Sequence, residues 1–179
     1  MDLEKIPSFV PSARKKEEGN YSQAVEKRKS ELQQAIRSGD VRLALDKFLS
    51  YQETLPKVSG DGRDFDYTGN YAKEIMSKAI KSVDPEKANF EDVKFVVEVY
   101  LSLKPHFPTT HRGQEANYVG LYAEDVLKAV IKVAKDNKSE ANIKLARETF
   151  SELSRDLRTE RNGQEFDYAA YYRGQIEKL

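Results

Sequence analysis

Tyrosine offers this chain its widest range of chemistry. Ten are present, beside two histidines, no tryptophan and no cysteine. A phenol can serve as a proton donor, a redox relay or a stacking platform. The missing thiol removes disulfides, thiol nucleophiles and thiolate metal sites. Eight of the ten tyrosines fall in one recurring motif, if Tyr21 and Tyr171 are counted with it. A stripe that recurs in every copy is better explained by packing between helices than by one active site, with each hydroxyl reaching water or a carbonyl. His106 and His111 stand five apart in a Pro-containing loop without a third ligand nearby, which reads as a solvated loop and not as a metal site. Asp61, Asp64 and Asp66 cluster before a helix, but their spacing does not match a calcium loop, and Asp66 is better used as a helix cap. Phosphate loops, nucleophile elbows, zinc helices and dinucleotide fingerprints are absent. The sequence therefore assigns no catalytic, cofactor-binding or metal-ligating residue, and the chain does not read as an enzyme.

The motif itself is the main signal. Gly62-Arg-Asp-Phe-Asp-Tyr67-Thr-Gly-Asn-Tyr71, Gly113-Gln-Glu-Ala-Asn-Tyr118-Val-Gly-Leu-Tyr122 and Gly163-Gln-Glu-Phe-Asp-Tyr168-Ala-Ala-Tyr-Tyr172 align without gaps, their first tyrosines 51 and 50 positions apart. A degenerate earlier copy begins at Asn20-Tyr21, with Val25 in place of the second tyrosine. Asp66, Asn117 and Asp167 suit the N-cap position. Tyrosines at i and i+4 share one helix face. Gly69, Gly120 and Ala170 between them are small enough to admit a neighbouring backbone. Ile75, Met76, Ala79 and Ile80 continue one copy and Val126, Leu127, Val130 and Ile131 the next, with the 3.6-residue period of an amphipathic helix.

Second helices follow in register at Val41 to Tyr51, Val93 to Leu103 and Ile143 to Leu153, with Phe48, Tyr100 and Phe150 near their ends. The middle segment alternates as a strand would and is rich in β-branched residues. Its relatives around Phe48 and Phe150 carry a helical pattern, so it is read as helix. The pattern predicts helices near 22–38, 41–54, 66–83, 90–104, 117–136, 139–158 and 166–178, and no β-sheet. The expected fold class is all-α, an antiparallel helical bundle built from helical-hairpin repeats of about fifty residues. One helical domain over 22–179 would hold copies near 22–54, 66–104 and 117–158, with a final helix at 166–178.

Residues 1–21 read as an extended N-terminal arm. Pro7 and Pro11 disfavour helix. Ile6, Pro7, Phe9 and Pro11 with Arg14, Lys15 and Lys16 form a candidate partner-binding strand of apolar and basic anchors, set against a frayed terminus without a role. Thirty basic side chains balance thirty acidic ones in the 179 residues, which gives no electrostatic footprint for nucleic acid. The longest stretch without a charge is eight residues, far short of the roughly 20 of a spanning helix. Attachment to a membrane is at most peripheral. No apolar segment follows Met1 to Ile6 as a secretory signal would. Either the protein stays where it is made or a targeting segment has been removed.

Two resemblances bear on function. Leu127-Lys-Ala-Val-Ile131, Leu145, Phe150-Ser151 and Tyr171-Tyr172 resemble the last three helices of the PsbQ-type extrinsic subunits of photosystem II, and Asp92-Val-Lys94 the start of that family's first helix. The likeness spans residues 91–179, leaves 22–90 as extra helices and lacks the tryptophan of the plant form. It implies a non-catalytic four-helix-type protein, docked by its arm on a larger complex, photosystem II, at the lumenal face of the plastid thylakoid. Alternatively, Ala35-Ile-Arg-Ser-Gly-Asp-Val-Arg-Leu-Ala-Leu45 looks like the bend of a tetratricopeptide-like unit. That resemblance implies a helical-repeat scaffold for protein–protein interaction, although the period exceeds the usual value of about 34. Without the photosystem resemblance the expected location is cytoplasmic.

Overall fold

The computed structural model describes residues 12–55, 65–83, 88–111, 114–161 and 163–179, with residues 12–22 and His111 described by backbone alone. Among the described residues there are seven α-helices: α1 (Ser12–Ser38), α2 (Val41–Tyr51), α3 (Tyr67–Ser82), α4 (Phe90–Leu103), α5 (Tyr118–Asp136), α6 (Glu140–Leu153) and α7 (Tyr168–Ile176). The fold is all-α, as the periodicity predicts. Each helix from α2 to α7 opens on a side-chain cap: Asp40, Asp66, Asn89, Asn117, Ser139 and Asp167 all accept from a backbone N–H of the first turn. Asn89 and Asp92 form a reciprocal capping box. Such a cap contributes about 1 kcal/mol.

Several boundaries differ from the periodicity, for local reasons. Helix α2 tightens into a 3₁₀ turn at Gln52–Thr54, and α4 into another at Lys104–His106 with Pro105 at its start. Helix α6 ends at Leu153, followed by turn structure to Asp156. The expectation of no strand is corrected by two short antiparallel hairpins, β1 (Thr110–His111) with β2 (Gln114–Glu115), and β3 (Glu160–Arg161) with β4 (Gln164–Glu165). Between β3 and β4 stands Gly163 with φ +76°, the left-handed backbone that tight hairpin turns favour. Val93 to Leu103 is helix. Val93, Val96, Val97, Val99, Tyr100 and Leu103 are all buried there, because α4 touches α3, α5 and α6 at once. A helix covered on most sides needs no clean apolar stripe, which is why its sequence alternates like a strand.

The extended arm is also corrected in part. Helix α1 starts at Ser12, immediately after Pro11, so residues 12–21 are helical. Proline is tolerated just before a helix, and Ala13 to Glu18 contains no further breaker.

Contacts between helices follow a simple rule. Each helix packs on its chain neighbours, and beyond that α1 packs on α3, α3 on α5, α5 on α7 and α4 on α6. Odd-numbered helices thus form one layer and even-numbered helices the other. The core runs continuously between them, through Leu32, Phe48, Ile75, Met76, Val96, Leu103, Leu127 and Leu153, all buried.

Candidate interaction surface

From the cap to the second tyrosine, the three motif copies take the same local structure. Asp66, Asn117 and Asp167 accept from the N–H of Gly69, Gly120 and Ala170 at 2.7, 2.7 and 2.8 Å. The tyrosine rings that follow lie 6.1, 6.1 and 6.3 Å apart in the pairs Tyr67–Tyr71, Tyr118–Tyr122 and Tyr168–Tyr172. The second tyrosine of each pair is buried. Burial raises the Tyr71 hydroxyl to about 12 and pushes those of Tyr122 and Tyr172 up as well. A neutral phenol in a packed seam is the physical result.

Each helix pair closes on itself at equivalent positions. A Cβ on Gly69 would lie 3.0 Å from Pro108 Cβ, and one on Gly120 only 2.6 Å from Arg158 Cγ and 3.0 Å from the Asp156 carbonyl oxygen. Pro108 and Arg158 are themselves equivalent residues, each just after the second helix of the pair that the glycine's helix opens. Ala170, at the third such position, is exposed. The aromatics near the ends of α2 and α4 reach the following copy. Phe48 stands edge-on to His106 at 5.3 Å between ring centres. The Tyr100 O–H donates to Asp156 Oδ2 at 3.0 Å, and Lys104 Nζ lies 2.6 Å from the same oxygen. Burial and the Asp156 charge push the Tyr100 hydroxyl far above its ordinary range.

Glu124 is the one buried carboxylate among the described residues. Both its oxygens accept from Arg158, Oε1 from Nε and Oε2 from Nη2, the latter at 2.8 Å. The guanidinium also faces the Tyr168 ring at 5.4 Å. One fork of hydrogen bonds therefore ties α5 to the turn after α6 and to the start of α7.

A groove crosses the odd-numbered layer. Ile36 of α1, Lys73, Glu74, Ser77, Lys78 and Lys81 of α3, and Tyr122 of α5 line about 330 Å³. Ile36 and Tyr122 are buried and form its floor. The Tyr122 hydroxyl bonds Ser77 Oγ at 3.1 Å and donates to the Lys73 carbonyl at 3.3 Å. Lys73 Nζ sits 4.4 Å from the centre of the Tyr118 ring.

The residues singled out in the sequence distribute differently. Ile6, Pro7, Phe9 and Pro11 lie outside the described residues, as do Asp61 and Asp64. Arg14, Lys15 and Lys16 fall in the opening turns of α1. Asp66 is a cap, as its position suggests. His106 packs on Phe48 and is not simply solvated. The sequence reading missed the groove. Its signal was there, since 73, 77 and 81 recur every fourth residue on the face opposite Ile75, Met76 and Ala79, but it becomes visible only when α1 and α5 are placed beside it. No known protein family, curated protein or solved structure matches this chain.

Proposed function

We propose that the chain is a non-catalytic helical-repeat scaffold that docks on a larger protein complex through its exposed helix faces. The observation that supports this reading most is the layered packing, in which every extensive contact joins helices one or two apart in the chain. Stacked units of that kind extend a surface and do not enclose a central pocket. The hydrogen bond from Tyr100 to Asp156 has the same sense, since it joins one unit to the next. The photosystem resemblance implies a four-helix-type protein for residues 91–179. A closed bundle of four sets its first and last helices side by side, whereas α4 and α7 are not among the extensively paired helices. The scaffold reading is favoured on that ground.

The test is affinity capture of the full-length chain from its native source after mild crosslinking, beside a form lacking residues 1–18. A defined complex retained at fixed stoichiometry is expected. A chain that stays free and monomeric at native abundance would overturn the reading.

A further inference from the structure

The groove on α3 joins two properties that select a partner. Its rim is cationic, with Lys73, Lys78 and Lys81 against the single acid Glu74. Among the described residues Lys73, Lys78 and Lys81 have no ion-pair partner, so one groove gathers three unpaired cations. Its floor is apolar, made by Ile36 and the Tyr122 ring, with the Ser77 hydroxyl beside them. From Lys73 to Lys81 a helix rises about 12 Å, the length of roughly four residues of extended chain.

Resting on the scaffold reading above, we infer that this groove receives an extended acidic segment of a partner protein. Its carboxylates would face Lys73, Lys78 and Lys81, and an apolar side chain between them would rest on Ile36 and Tyr122. Charge complementarity across a groove sets orientation and speeds encounter. The apolar floor and short reach distinguish such a segment from nucleic acid, which needs a long basic track for its phosphates. On the next odd helix that track is interrupted, since Asp125 already holds Lys128 at 3.0 Å.

The experiment is fluorescence anisotropy on the full chain with a labelled glutamate-rich peptide carrying leucine at intervals. The same peptide with glutamine for glutamate and a single-stranded oligonucleotide of equal charge are run beside it. Binding of the glutamate peptide alone is expected, weakened at least tenfold by Lys78→Glu with Lys81→Glu and weakened further by salt. Lys94→Glu with Lys144→Glu, on α4 and α6, should leave it unchanged. Circular dichroism establishes that each variant remains folded. The inference is overturned if wild type takes no glutamate peptide, if the α3 variant binds within twofold of wild type, or if the oligonucleotide binds equally well. Should the native complex still be captured in any of those cases, only the groove assignment falls and the scaffold stands.

Discussion

Tyr118 and Tyr168 carry the motif at the scale of single residues, and their truncation measures its worth. Tyr168→Ala should cost about 3 kcal/mol or more in denaturant titration, as large buried aromatics do, and Tyr118→Ala less, because that ring is half-buried, whereas the phenylalanine variants should cost far less than either. Unchanged stability in the alanine variants would place these rings at an interface instead. Gly120→Ala tests the seam by adding volume. The added methyl meets Arg158 Cγ and the Asp156 carbonyl, so a loss of about 1–3 kcal/mol is expected, while Ala170→Gly should change stability by only about 1 kcal/mol or less. Tyr71 supplies a pH signature. Its folded value near 12 lies above the ordinary 10.0, so the neutral phenol stabilises the fold below pH 10, and this is lost as pH rises towards 12. The alkaline limb of stability against pH should therefore be shallower in Tyr71→Phe than in wild type. Parallel limbs would refute the assignment.

Helices hold these residues in register, and at that scale the caps and the buried ion pair matter most. Asp66→Ala should cost about 1 kcal/mol, read from the denaturation midpoint. Glu124→Ala strands Arg158 between α5 and α7 and should cost about 2 kcal/mol or more, a figure held below that of a fully buried pair because Arg158 is partly exposed. Helix positions were legible from the sequence because caps, tyrosine pairs and breakers act locally. Residues 110–115 and 160–165 were read only as loops, since a two-residue strand has no periodicity to detect. Glu124 was equally hidden. Its position is occupied by Lys73 in one copy and Gly174 in the other, and burial depends on an arginine 34 residues away. The start of α1 at Ser12 departs from the sequence expectation because a proline restricts itself and the residue before it, not those that follow.

For the whole molecule, packing limited to near neighbours predicts graded protection. Amides of α4 and α5, flanked on both sides, should exchange with solvent more slowly than those of α7, whose extensive contacts among the described helices are with α5 and α6. Uniform protection along the chain would contradict a stacked architecture. The stacking order was not readable from sequence, because alignment of copies gives the repeat unit but not which units touch. One small difference among the copies has a consequence for sequence drift. Glycine stands at 69 and 120, where the turn after the next helix presses close, and alanine stands at 170, which is exposed. Tolerance for a methyl group at this position therefore tracks its cover, and a larger side chain is accommodated at 170 before it is at 69 or 120.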